Sequence, residues 1–446
     1  MLAAGYVDGL RERPVCPDRS AAAQLAALEI AFPHEGLDAR SVVDELDTRA
    51  SPATMAMAGP RFFGFVTGGS LPAALAASWL ATAWDQNSAF HDVTPATATL
   101  ERIALGWLLD ALDLPRGAAG AFVTGATVAN FTALAAARHA VLACAGWDVE
   151  ADGLFGAPPV TVIVGAEAHP TLFKSLGMLG LGRNRVVRIP VDAQGRMRAE
   201  DLPAIAGPTI VCAQAGNVNT GACDPVGAIC DRLRGSGTWV HVDGAFGLWA
   251  RAAPSRAHLV AGVEHADSWA TDAHKWLNVP YDSGLAFVRD GHALQAAMAI
   301  SAEYLPTQGT ARNPSDFTPE LSRRARGVEV WAALRSLGRE GLGEMIERHC
   351  RQARRFAEAF RAAGYAVLND VVLNQVLVAF GDAAATQRVV GAIQAEGTCW
   401  CGTTVWQGRS AMRISVCSWM TTDADVERSI AAMLHIARDE GAPGHR

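Results

Sequence analysis

The sequence predicts an α/β protein built on a mostly parallel sheet. Two observations carry this. From about residue 120 short β runs alternate with helical segments, and the runs are continuously apolar, as in strands buried on both faces. The β runs fall at 160–164, 186–189, 209–213, 239–242 and 284–288, with helices over 171–179 and 226–233 between them.

The flanking segments differ in texture. Residues 1–70 read as helices and loops: 21–28 is rich in Ala and Leu, and Ser41 is placed to cap a helix over 41–46. Pro52, Gly59 and Pro60 break that pattern. Apolar helices follow over 73–84 and, after Pro95, over 96–112, the second ended by Pro115 and Gly117. Beyond about 330, amphipathic helices over 328–336 and 344–363 precede mixed strands and helices, a small C-terminal α+β domain. The expected organisation is a helical segment 1–70, a large sheet domain 71–330 and a small domain 331–446.

Composition narrows the function classes. The chain has 446 residues, half of them hydrophobic, which is ample for a large core. A net charge of −7 argues against a nucleic-acid surface. No apolar run reaches the roughly 18–20 residues of a membrane helix, and the first residues do not read as a secretory leader. A cytoplasmic protein is expected. Nine scattered cysteines argue against a disulfide framework, and Cys399-Trp400-Cys401 has too short a gap for a zinc clamp, so no metal site is expected.

Lysine and arginine together number 38, yet only Lys174 and Lys275 are lysines. Arginine stays charged, whereas a desolvated lysine can become a neutral nucleophile. Lys174 sits on a predicted helix and reads as an ordinary surface residue. Lys275 belongs to a group. In an open parallel sheet, ligands bind beyond the carboxyl ends of the strands. Past successive strands come His169, the loop Asn217-Val218-Asn219, Asp243 and the run Asp272-Ala273-His274-Lys275. Asp243 ends an apolar strand, where a carboxylate is costly unless a cation meets it; a protonated pyridine nitrogen is one such cation. Thr124-Gly125-Ala126-Thr127 joins a short apolar run to a helix over 130–142, and helix N-termini bind phosphate.

Asp243-Gly244-Ala245 followed by Ala273-His274-Lys275-Trp276 resembles the group II pyridoxal-phosphate-dependent amino-acid decarboxylases, which include the aromatic amino-acid and glutamate decarboxylases. The likeness runs from about Pro60 to Arg413. It implies pyridoxal 5'-phosphate as cofactor, the type I fold of such enzymes with a seven-stranded sheet, and a homodimer whose N-terminal segment helps join the subunits. It implies Lys275 as the covalent anchor, and His274, Thr127 and the Ala126 N–H as phosphate holders. Asp243 would pair with the ring nitrogen, Ala245 would lie under the ring and His169 over it. Tyr304 matches the tyrosine that protonates the substrate carbon, favouring an amine product over an aldehyde. Arg413 matches a residue near the substrate carboxylate, Phe62 and His91 are substrate-pocket candidates, and Asn217 is a looser cofactor contact. Asp272 departs from the asparagine common there, and an acid beside a phosphate would repel it. The expected reaction is decarboxylation of an aromatic or bulky apolar L-amino acid. An aldolase, another lyase or an aminotransferase is the alternative on the same residues.

Overall fold

The computed structural model describes residues 1–300 and 311–442. The chain groups into two compact units. One comprises Ser70–Arg351 with Asn369–Gln375; the other comprises Met1–Gly69, Gln352–Leu368 and Val376–Arg446.

The first unit holds a seven-stranded sheet: β1 (Ala119–Val123), β2 (Thr161–Gly165), β3 (Val187–Ile189), β4 (Thr209–Gln214), β5 (Trp239–Asp243), β6 (Ser268–Asp272) and β7 (Gly284–Val288). Their spatial order is β1-β7-β6-β5-β4-β2-β3. The pairs β2–β3, β2–β4, β4–β5 and β5–β6 are parallel, whereas β7 runs antiparallel to both β6 and β1. Gly165, Gln214, Asp243 and Asp272 therefore end their strands on one rim, where Val123 also ends β1 and Gly284 begins β7. Every residue of β5, β6 and β7 is buried, as their apolar runs predict.

Helix Ala126–Ala143 packs on this sheet through Ala129, Ala133, Ala136 and Ala137, all fully buried. Small side chains let the helix axis lie close to the strands, which carries its first turn to the rim. Trp249, Trp269 and Trp276 are also fully buried, and each indole N–H has an acceptor: the Asp272 carbonyl at 3.0 Å, the Val263 carbonyl at 2.8 Å and His349 Nδ1 at 3.0 Å. Burying one such ring contributes on the order of 5 kcal/mol before entropy is counted.

The second unit contains a four-stranded sheet in the order β10-β11-β9-β8, built from β8 (Ala366–Val367), β9 (Gln375–Ala379), β10 (Gly402–Trp406) and β11 (Arg409–Ser415). Phe63 is buried edge-on to Phe356, centroids 5.1 Å apart, and so belongs to that unit's core.

One local expectation changes. The helix expected at Ser41 starts two residues earlier, as Ala39–Arg49, and its cap is Asp38, whose carboxylate accepts from the N–H groups of Arg40 and Ser41. The two late helices stand as expected within Gly327–Ala362, separated at Gly338, whose φ of 62° suits a residue without a Cβ.

Candidate active site

A cavity of ≈ 320 Å³ opens at the rim of the large sheet. Its walls come from the first turn of helix Ala126–Ala143, the ends of β4, β5 and β6, and the start of helix Pro170–Met178. Ala126, Thr127, His169, Asp243, Ala245, His274 and Lys275 all line it.

Asp243 is almost wholly buried. Its Oδ2 accepts from Asn130 Nδ2 at 3.1 Å and its Oδ1 from the Ala245 N–H at 3.2 Å. Burial holds its proton affinity above the ordinary carboxylate value, though His169, Lys275 and these two donors work the other way. Lys275 sets its Nζ 3.0 Å from Asp272 Oδ2. Burial disfavours the ammonium, but the Asp272 carboxylate, with Asp243 behind it, outweighs burial and holds the Lys275 proton affinity above its ordinary value. Asp272 Oδ1 also accepts the Ala126 N–H at 2.6 Å. The acid that the sequence flags as a departure thus occupies one helix N-terminal donor and pairs the lysine.

His274 accepts from the Ser283 N–H through Nδ1 at 3.1 Å, so its neutral ring carries a proton on Nε2, 3.6 Å from Asp272 Oδ1. Burial lowers its basicity and keeps that neutral form. His169 caps helix Pro170–Met178 and is oriented by Thr171, whose Oγ1 lies 2.7 Å from Nδ1. Gly125 precedes Ala126, and a Cβ there would meet His274 Cε1 at 3.2 Å and Asp272 Oδ1 at 3.4 Å. The glycine leaves that corner of the cavity open.

Other expected residues lie elsewhere. Asn217 does not line the cavity. Its Oδ1 accepts from the N–H groups of Asn219 and Thr220, and its Nδ2 donates to Gln214 Oε1, so the side chain closes its own turn. Its neighbours Gly216 and Val218 line the cavity instead. His91 is not a lining residue; its N–H donates to Asn313 Oδ1. Phe62 and Arg413 belong to the other unit. There Phe62 stacks on Trp400, centroids 4.8 Å apart, and desolvation pushes the half-buried Arg413 down to about 10. Tyr304 lies outside the described residues.

Sequence reasoning missed Gln214, Phe246 and Thr171 in the walls and Asn130 behind Asp243, and placed Val218 only as part of its loop. Asn130 left a signal: a lone amide on the buried face of an alanine-rich helix requires a polar partner.

A single amine, a buried carboxylate and a helix N-terminus around one cavity, on a sheet of this topology, define an enzyme that works on an anionic, cationic-ringed cofactor. Residues 22–381 match the family model of the pyridoxal-dependent decarboxylase conserved domain, and the chain belongs to that family. Tryptophan decarboxylase 1 of Oryza sativa subsp. japonica is 29% identical over 92% of this chain and 87% of its own. L-2,4-Diaminobutyrate decarboxylase of Rhizobium meliloti (strain 1021) is 31% identical over 82% of this chain and 75% of its own. The crystal structure of Oryza sativa TDC with PLP and tryptamine superposes with a TM-score of 0.89 at 25% identity, covering 98% of this chain and 95% of that one. The protein is a pyridoxal-phosphate-dependent amino-acid decarboxylase, a carboxy-lyase. The donor set fits that cofactor. A carboxylate can meet a ring nitrogen, an amine can meet an aldehyde, and the Thr127 hydroxyl, the His274 Nε2–H and the N–H groups of a helix first turn can meet a phosphate.

Proposed function

We propose that the protein releases carbon dioxide from an L-amino acid with an aromatic or bulky apolar side chain, giving the amine, and that it works as a homodimer. The observation that best supports this is one cavity bringing Lys275, Asp243, His169 and the Thr127 helix turn together. Among the described lining residues there is no arginine, and Lys275 is paired with Asp272, so an acidic substrate side chain finds no free counter-charge. Val128, Val218 and Phe246 offer apolar surface instead. Trp79, Leu80 and Trp84 lie exposed on helix Pro72–Trp84, apolar surface of the kind a second subunit covers.

Lys275, Asp243, His274, Thr127 and Ala126 would hold the cofactor, with His169 and Ala245 on the two faces of its ring. Pyridoxal phosphate, when bound, supplies an aldehyde carbon for the substrate's amino group and a ring that takes up the electron pair left by departing carbon dioxide. The Asp243 carboxylate would keep the ring nitrogen protonated, because an adjacent negative charge favours the cation. Lys275 Nζ must give up a proton before it can act on a carbonyl, and the Asp272 carboxylate, 3.0 Å away, holds that proton on it until the cofactor binds. Tyr304 would return a proton to the substrate's α-carbon. Arg413 would hold the substrate carboxylate, and Phe62, from the partner subunit, would shape its pocket.

The test is carbon dioxide release from each of the twenty L-amino acids. Release with tryptophan, tyrosine or phenylalanine supports the proposal. Release only with acidic or basic substrates would overturn the side-chain assignment, and a keto acid, or an aldehyde with glycine, would point to another Cα reaction. Tyr304→Phe should turn the amine product to aldehyde; unchanged amine would remove Tyr304 from its role.

A further inference from the structure

Four buried polar groups stand in line behind Asp243. Trp239 Nε1 donates to Ser268 Oγ at 2.8 Å, and Ser268 Oγ lies 2.9 Å from His241 Nδ1. His241 Nε2 lies 2.8 Å from Asn130 Oδ1, and Asn130 Nδ2 donates to Asp243 Oδ2 at 3.1 Å. Ser268, His241 and Asn130 are fully buried. These groups come from β5, β6 and the helix Ala126–Ala143, so the line ties three elements to one carboxylate.

The direction of each hydrogen bond follows from chemistry. An indole N–H only donates, so the Ser268 oxygen accepts there and its own proton turns to His241 Nδ1. At the other end a carboxylate only accepts, so the Asn130 amide nitrogen faces Asp243 and its oxygen faces His241. His241 must then be neutral, with its proton on Nε2. Burial agrees, pushing its basicity down to about 3. In the opposite arrangement a proton on Asp243 Oδ2 would donate to a flipped Asn130. His241 would carry its proton on Nδ1, and Ser268 Oγ would face two N–H donors with no acceptor for its own proton among its described partners.

We propose that Trp239, Ser268, His241 and Asn130 form a one-way hydrogen-bond chain that keeps Asp243 ionised, and that His241 and Asn130 are positioning residues for the decarboxylation. Its catalytic meaning rests on Asp243 as the partner of the cofactor's ring nitrogen. The ionised form is the one that can keep a ring cationic, and a buried carboxylate without such donors takes up a proton. The other charged or titratable groups around Asp243 are His169 at the start of helix Pro170–Met178, Lys275 beyond β6, Cys212 on β4, Asp272 in the same cavity, and Glu167 and Asp224, which line a smaller pocket with it. The Cys212 thiol, raised by burial, stays neutral.

Two measurements test this. In protein with ¹⁵N-labelled histidine, proton–nitrogen correlation should show that the imidazole lost in His241→Gln is an Nε2–H tautomer, unchanged from pH 5.5 to 8. An Nδ1–H tautomer, or a titrating ring, would overturn the chain whatever the cofactor does. The second is a pyridoxal phosphate titration followed by tryptophan fluorescence at pH 6 and pH 8. In Asn130→Leu the ratio of Kd at pH 6 to Kd at pH 8 should rise about two- to fivefold over wild type, the effect of one pK unit on a carboxylate that wild type keeps ionised. An unchanged ratio would overturn the positioning role. Ser268→Ala, a smaller perturbation, should move the ratio in the same direction by about 1.5- to twofold and serves if the leucine variant does not fold. Wild-type protein that binds no cofactor would sink the ring-nitrogen role while leaving the tautomer to decide the chain.

Discussion

Asp243 and Asp272 end neighbouring parallel strands, line one cavity and are almost equally buried, 4% and 2% exposed, yet their partners are opposite in kind. Asp243 is held by neutral donors, the Asn130 amide and the Ala245 N–H. Asp272 is held by one N–H and by the Lys275 ammonium. Neutral donors stabilise a charge without cancelling it, so Asp243 keeps a net charge for a cation entering the cavity. An ion pair cancels most of the charge at a distance, so Asp272 acts on Lys275 and little beyond. Strand position brings both acids to the rim; their partners decide what each can do.

The largest effect should come from the shared cation. Lys275→Ala should bind pyridoxal phosphate and lose at least about a thousandfold in kcat, because no other residue supplies the amine. Normal turnover would contradict the assignment. Asp243→Asn removes the uncancelled charge and should lower kcat by roughly 10²–10³-fold with the cofactor still bound, the scale of one preorganised charge. A loss below about threefold would mean that Asp243 is only structural.

Asp272→Asn should act in the opposite sense on binding. It removes a negative charge from the phosphate end and frees Lys275 from its partner. Pyridoxal phosphate should bind about tenfold more tightly, and the pH needed for the lysine to react should fall, since the carboxylate is what holds the Lys275 proton. Weaker binding would show that Asp272 is needed to shape the helix turn.

A third acid sharpens the contrast at smaller scale. Asp224 accepts only backbone N–H groups, from Met197 and Gln214, each at 2.7 Å. Burial, which the two N–H groups and Arg196 offset only in part, pushes it up to about 6. Its folded proton affinity is raised above the unfolded one, so its contribution is fully present below about pH 4 and lost as pH rises through about 6. Stability should fall by on the order of 2 kcal/mol over that window, and Asp224→Asn should flatten the fall. Thermal unfolding at half-unit pH steps checks this; parallel curves would contradict it.

The legible parts of the molecule were those written in local chemistry. Continuous apolar runs marked the central strands, and residues just beyond them were the candidates for the rim. Lys275 stood out because arginine replaces lysine almost everywhere else. Asp243 stood out because nothing in its apolar strand could satisfy it. What the sequence hid depends on pairing across elements. Asn130 and His241 are 111 residues apart, and each alone looks like an ordinary buried polar residue. Asn217 misled because asparagine in a loop satisfies its own turn as readily as a ligand. Ser41 was a plausible cap, but Asp38 closes the turn with two N–H bonds of its own.

The most direct test of the account uses the chain's two lysines. Purified protein loaded with pyridoxal phosphate and treated with borohydride should carry the pyridoxyl group on the peptide containing Lys275, with the visible–ultraviolet edge absorbance lost. A label on Lys174, or no label on either lysine, would contradict the assignment of the cavity as the catalytic centre.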